Sequence, residues 1–479
     1  MSVRLLELGG ITPGVRCLIL EVAGKRIAID AGCGFAYDKV RGKYTVAPEF
    51  GVLRGERLDA VIITHDHFDH VGAAPLLARF FPGVLFYMTK PARAGAKLII
   101  NDSLKIHRNA VRDAERAGKP VPTPLYEDED AEAFFSRVRP VDRPHWIHSL
   151  FGEKGWSIGF YPSGHKRGAM MTFLQTPERN IVITGDCSAH DQPYVKGTML
   201  PPDDFIRDFM QDAERKHGVL LITEATNGAR ELPDQEAERR KMNKVVVEVR
   251  DRGGVCLFPC FGSDGCSRVS MRLDDTSHLD GMARDFYLQV YATTDGYWSP
   301  NDQPSLEEMI NQIGTKILPV PKIEYGNFEA VRRFQEQLAQ GYKGSYPIVT
   351  PSSTLEEGNA VTYAKHVLQR RENAVIFTGH IFPGTKSEEV MKLEKGRTVT
   401  LGRIGESLHV PVACEVYRFD FSAHDGGGKL AKRVELYHAP DVGIQHGDHV
   451  NLEGLRARLY NLKQVPRVER LERLSEVVF

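Results

Sequence analysis

The 479-residue sequence lacks the features that would place it in several broad protein classes. No apolar run approaches the roughly 18–20 residues of a membrane span. The stretch Met1–Gly10 has no signal-peptide pattern and reads as a strand that opens a domain. A cytoplasmic protein with no membrane partner is therefore expected. The seven cysteines are an odd number and contain no CxxC pair, which argues against a disulfide framework and against a thiolate zinc site. An excess of either charge is missing too. The 62 Lys and Arg residues face 63 Asp and Glu, for a net charge of −1, so any anion-binding surface must be local. There is no repeat or low-complexity tract. What remains is ordinary for a soluble globular chain, with 42 % apolar and 26 % charged residues and a length that suggests two or three domains.

Against that plain background, residues 65–70 read His-Asp-His-Phe-Asp-His, directly after the apolar run Ala60-Val61-Ile62-Ile63. Three imidazoles and two carboxylates within one loop are hard to account for as core or as solvated surface; a coincidental polar loop is the plain alternative. Imidazole and carboxylate are the ligands that zinc and its neighbours prefer. Two sets are on offer, His65 with His67 and Asp69 with His70. Two metals about 3.5–4 Å apart suit hydrolysis of a phosphodiester or an ester.

Short apolar strands alternate with amphipathic helices, which points to an α/β class. Helices are predicted over 102–117, 235–252, 327–341, 359–371 and 427–438. The strands are the more informative elements. Strand 26–30 ends at Asp30, 60–64 at His65, 158–162 runs into Ser163-Gly164-His165, 180–185 ends at Asp186, and 441–445 ends at His446. In layered α/β folds such carboxyl ends are where sites form. His65, His67 and His165 would suit one ion, and Asp69, His70 and His446 the other. Asp186 could bridge them, with a hydroxide between the ions as nucleophile. Asp30 is expected to orient a ligand imidazole rather than to bind metal.

The ordered series Asp30, His65-x-His67-x-Asp69-His70, His165 and Asp186 resembles the motifs of metallo-β-lactamase-fold hydrolases. Ser163-Gly164-His165 and Thr184-Gly185-Asp186 resemble the nucleic-acid-processing branch called β-CASP. Thr223-Glu224-Ala225 is similar to that branch's motif A, Ser422-Ala423-His424 to motif B, and Gln445-His446-Gly447 to motif C. The resemblance implies an αββα sandwich formed by about 1–205 and 396–479, with a β-CASP α/β domain inserted over about 206–395. It implies two zinc ions, with manganese as the alternative. It also implies that His424, hydrogen-bonded to Glu224, protonates the leaving oxygen, and that Asp69 belongs to the catalytic set. Where many relatives carry a Gly-Arg-rich turn, this chain reads Phe261-Gly262-Ser263-Asp264-Gly265. Lys166 and Lys386 are the candidate phosphate contacts.

The resulting expectation is a zinc-dependent ribonuclease, endonuclease or 5′→3′ exonuclease, that leaves 5′-phosphate and 3′-hydroxyl ends. It is similar to the cleavage/polyadenylation endonuclease and to prokaryotic RNase J-like enzymes. RNA is the expected partner, and the resemblance leaves a homodimer and a larger RNA-processing complex open. A histidine at motif C goes with RNA in such enzymes, so a DNA nuclease is the alternative. A non-catalytic RNA-binding subunit and a small-molecule esterase rank lower, because every expected ligand is present and small substrates need no inserted domain.

Overall fold

In a computed structural model the chain divides into two compact units. It describes residues 2–279 apart from 11–13, 39–41, 142–143, 194 and 275–276, then 317–319, 333, 336–340, and 346–479 apart from 357, 403–406 and 465. The first unit comprises Met1–Glu231 and Ala423–Phe479, and the second lies between them in sequence. These breaks fall later in the chain than 205/206 and 395/396. The reason at the first break is strand Val219–Glu224, which pairs in parallel with Asn180–Ile183 on one side and Asp441–Gln445 on the other.

The first unit is built on two sheets, each of seven strands among the described residues. One runs Glu476–Val478, Arg4–Glu7, Leu18–Val22, Lys25–Ile29, Ala60–Ile62, Phe86–Thr89, Val138–Val141. The other runs Arg467–Arg470, Asp441–Gln445, Val219–Glu224, Asn180–Ile183, Met170–Gln175, Ser157–Pro162, His145–His148. Their strands read as unbroken apolar runs because both faces are covered. Ile27 and Ile29 pack against Ile181, Ile183, Leu220 and Ile222 between the sheets. Ala28, one residue out of phase, packs outward with Ala92, Ala96 and Ile100 of helix Lys90–Arg116. On the far side Val182 and Leu221 meet Leu430 and Val434 of helix Gly427–Leu436, and Leu452 and Leu455 of helix His449–Leu459. Strand period two thus splits each run between two cores, and the layers stack helix, sheet, sheet, helix.

The second unit carries a six-stranded sheet among the described residues, in the order Ile317–Pro319, Ser277–Leu279, Ile348–Pro351, Cys256–Cys260, Ala374–Phe377, Glu415–Arg418. Every pairing in it is parallel. Helices Gln235–Asp251, Gly265–Arg272 and Asn359–Val367 belong to the same unit. The predicted helix over 327–341 lies largely outside the described residues.

One helix differs from its predicted extent. The segment expected over 102–117 is the end of a helix that begins at Lys90. Its true start is marked by Thr89, whose hydroxyl accepts a hydrogen bond from Ala92 N, followed by Pro91 in the first turn. Asp102 and Ser103 lie mid-helix. All seven cysteines are buried and unbridged. Among the described residues no helix is long and apolar enough to cross a membrane.

Candidate metal centre

Most of the candidate ligands of the first unit sit just past the end of a strand. Strand Ala60–Ile62 runs into Thr64, His65 and His67, and the single helical turn Phe68–Val71 then presents Asp69 and His70. Asp30 follows strand Lys25–Ile29, and His446 follows Asp441–Gln445. Both adopt left-handed backbone, with φ of 62° and 54°. Non-glycine residues pay for that conformation and keep it where their surroundings demand it. At Asp30 the demand is visible. Its carboxylate accepts from Thr64 N at 2.7 Å and Thr64 Oγ1 at 3.0 Å, and faces His70 Nδ1 at 2.7 Å.

The hydrogen bonds settle which ring nitrogen faces inward. His70 Nδ1 is turned to the Asp30 carboxylate, and His165 Nδ1 to the Ala423 carbonyl at 3.1 Å. The Thr64 hydroxyl donates to Asp30 and so accepts from His65 Nδ1 at 3.1 Å. The Thr226 hydroxyl donates to the His446 carbonyl and accepts from His446 Nδ1, each at 3.0 Å. His65, His70 and His165 therefore spend Nδ1–H on an outward acceptor, while His446 Nδ1, bonded to Thr226, also lies 3.2 Å from Asp186 Oδ1; all four point Nε2 into one small volume.

What they meet there is more acceptor. His70 Nε2 lies 3.4 Å from His446 Nε2 and 3.4 Å from Asp186 Oδ2. Asp186 Oδ2 is also 3.6 Å from His65 Nε2 and 3.7 Å from His165 Nε2. Asp69 Oδ2 is 3.4 Å from His446 Nε2, and His67 Nδ1 is 3.2 Å from His165 Nε2. Buried His65 Nε2 has no hydrogen-bond partner at all. Ligand atoms of His65, His67, His165 and Asp186 lie within 4.8 Å of one another, as do those of Asp69, His70 and His446. Converging lone pairs and carboxylates call for positive charge, so this donor set fits divalent cations.

The titration behaviour has the same cause. Burial and the neighbouring His70 and His67 rings push His65 well below the usual imidazole range. Burial also opposes a charge on His70, but Asp186, Asp30 and Asp69 outweigh it and hold that ring well above its usual value. Burial would raise Asp186 and Asp69, yet the surrounding imidazoles keep both carboxyls well below the normal range. Three carboxylates around one ring thus demand a cation, and a proton on His70 meets that demand when nothing else does.

Next to this cluster, His424 Nδ1 is 2.8 Å from Glu224 Oε2. Glu224 is sealed from solvent, and its other oxygen accepts from Cys187 N at 2.7 Å. The His424 ring centre lies 4.5 Å from that of His165.

One of the two candidate lysines is placed differently from the sequence reading. Lys166, expected at a substrate phosphate, is 3 % exposed, with its ammonium 2.8 Å from Asp66 Oδ1. A side chain buried in an ion pair is not presented to a phosphate. Lys386, in the second unit, pairs with Glu389 at 2.6 Å on its own helix. Sequence reasoning missed Arg16. This buried guanidinium lies 3.2 Å from Glu7 Oε2, bonds Gln445 Oε1 next to His446, and donates to Gly10 O at 2.6 Å. Its backbone N–H donates to Asp69 O at 3.0 Å. The available signal was a lone arginine opening the apolar strand at Cys17-Leu18-Ile19-Leu20.

Comparison with known proteins agrees with this geometry. Residues 12–216 match the metallo-beta-lactamase superfamily profile. The match runs from before strand Leu18–Val22 to beyond Asp186, and relatives extend the likeness along most of the chain. Endoribonuclease YSH1 of Gibberella zeae is 25 % identical, over 95 % of this chain and 54 % of its own length. Endoribonuclease ysh1 of Schizosaccharomyces pombe is 26 % identical, over 93 % and 54 %. Transcription termination factor FttA of Methanocaldococcus jannaschii is 27 % identical, over 93 % and 67 %. The chain spans about half the length of the two fungal relatives. In fold it is similar to a crystal structure of a protein of unknown function from Enterococcus faecalis V583, with a TM-score of 0.52 at 15 % identity over the whole of both chains.

Proposed function

We propose that the protein is a metal-dependent ribonuclease that hydrolyses RNA phosphodiester bonds, leaving 5′-phosphate and 3′-hydroxyl ends. The observation that carries this reading is the convergence of four Nε2 atoms and two carboxylates on one buried volume, beside the His424–Glu224 pair. Zinc is the preferred ion, because imidazole dominates the donor set. His65, His67 and His165 would hold one ion, Asp69, His70 and His446 the other, and Asp186 both. Bound there, the two ions would activate a water and neutralise charge growing on the phosphoryl oxygens.

The protein's own groups do the rest. Asp69 has the most open of these carboxylates, 26 % exposed against 3 % for Asp186, and accepts a hydrogen bond from the attacking water. As the new P–O bond forms, the bond from phosphorus to the 3′-oxygen breaks, and that oxygen takes a proton from His424 Nε2. Glu224 binds Nδ1, fixing the ring's tautomer and its orientation. Asp30, Thr64 and Thr226 hold ligand rings in place from outside.

RNA is favoured over DNA by the histidine at the motif C position, His446, and by relatives named as endoribonucleases. The relative named as a transcription termination factor is consistent with action on a transcript. The test is cleavage of matched RNA and DNA oligonucleotides, each with a 5′-phosphate or a 5′-hydroxyl, by zinc-loaded protein. RNA cleavage supports the reading, and the product ladder separates internal cutting from stepwise action at the 5′ end. Cleavage of DNA alone transfers it to a DNA nuclease. Two bound metals with neither substrate cut would overturn it.

A further inference from the structure

We propose that the buried ion pair Lys166–Asp66 is a positioning device for one ligand set. It fixes the distance between the loop that carries His165 and the loop that carries His65 and His67. The proposal rests on reading that cluster as a metal site.

Lys166 Nζ lies 2.8 Å from Asp66 Oδ1, with both side chains almost fully buried. Each partner is a chain neighbour of ligands. Asp66 sits between His65 and His67, and Lys166 follows His165. A shift in the pair therefore moves the ligands, because they share a backbone. The same two loops are spanned a second time where His67 Nδ1 faces His165 Nε2 at 3.2 Å. That rung joins two nitrogens that both turn lone pairs to a cation, so it cannot set the spacing before the cation arrives. The ion pair attracts at all times.

Stability alone is a poor reason for such a pair. Buried charges lose their hydration, and an apolar pair of the same shape often serves as well or better. What a buried pair supplies is geometry. Here it is also clamped from behind. A Cβ on Gly95 would overlap the Asp66 carboxylate, so helix Lys90–Arg116 passes directly against it. The first turn of that helix holds the other loop as well, since Thr89 Oγ1 donates to Gly168 O at 2.7 Å. Gly168 has φ of 82°, and a Cβ there would lie 2.6 Å from Pro91 Cβ and 2.8 Å from Thr89 Oγ1. One rigid helix thus backs both loops, and the ion pair ties them together between the helix and the ligand rings.

The test measures zinc affinity and stoichiometry by competition with a chromophoric chelator, alongside thermal unfolding of the metal-free protein. Asp66→Asn/Lys166→Gln removes both charges at nearly constant shape. Gly95→Ala keeps both charges and displaces the carboxylate. The expected result in each is a roughly 10–100-fold loss of affinity at one of the two equivalents, the range for removed partners of metal ligands. The second equivalent stays unchanged, and excess zinc restores RNA cleavage. Lys166→Arg, which retains the pair, recovers most of the affinity. Arg79→Gln/Asp130→Asn, an exposed pair elsewhere in the same unit, leaves both equivalents unchanged.

Wild-type affinity at both equivalents in either folded variant overturns the proposal. Should the double variant fail to fold, Gly95→Ala decides alone. Wild-type protein that binds no zinc would instead overturn the metal reading on which the proposal rests.

Discussion

Glu224 grips two partners with its two oxygens, the ring of His424 at 2.8 Å and the backbone N–H of Cys187 at 2.7 Å. A carboxylate can accept from both, whereas a carboxamide must turn its NH2 toward one of those donors. Glu224→Gln should therefore release either the ring or the Asp186–Cys187 turn. Single-turnover cleavage should fall at least tenfold, and stability by about 1–3 kcal/mol from the donor left unpaired.

His424→Ala removes the proposed proton donor and none of the ligands of either set. Cleavage should drop by about 10²–10⁴, while two equivalents of zinc remain bound. A substrate whose 3′-oxygen is replaced by sulfur, a leaving atom that needs no proton, should recover most of the loss. Equal losses on the oxygen and sulfur substrates would remove His424 from the acid role.

Asp69→Ala/His70→Ala empties one ligand set. Zinc stoichiometry should fall by one and cleavage should be lost, with the far-ultraviolet circular dichroism unchanged. Zinc should raise the unfolding midpoint of the wild type, because a ligand at about a thousand times its Kd stabilises the native state by about 4 kcal/mol. The chelated wild type should lose that increment, and the double variant should show a smaller one.

Arg16→Met leaves the Glu7 carboxylate buried without its counter-ion, a change that costs about 3–5 kcal/mol. Burial already holds the Glu7 carboxyl above its usual range, with Arg16 opposing that rise. Loss of Arg16 raises it further. A carboxyl with a raised native pKa binds its proton more tightly when folded, so it favours folding at low pH, and that contribution is lost as pH rises through the native value. The deficit of Arg16→Met, measured by urea denaturation across pH, should accordingly shrink toward acid pH. A deficit that grew on acidification would place the cost elsewhere.

Several candidate ligands were legible because they obey a local rule, a polar residue following an apolar strand. His65, His165, Asp186 and His446 announce themselves in this way without any knowledge of the packing. Asp66 and Lys166 do not. The ion pair joins positions a hundred residues apart, and Lys166 taken alone reads as a surface cation beside Arg167. Arg16 is hidden for the same reason, since its partners Glu7 and Gln445 lie on different strands of different sheets. The helix at Lys90 was mistimed because Asp102-Ser103 offers a second, unused cap of the same chemistry. The apolar runs pointed to an α/β fold and the motif resemblance implied the sandwich, but the edge of the first unit depended on a pairing with Asp441–Gln445 some two hundred residues downstream.

That pairing also sets a timetable. Strand Asp441–Gln445 fills a slot between Val219–Glu224 and Arg467–Arg470, and it delivers His446, while His424 arrives only just before it. The His-x-His-x-Asp-His loop leaves the ribosome long before either of these two histidines is made. The proposed nuclease would accordingly stay incomplete, and inert toward its own message, until strand Asp441–Gln445 has been made and paired.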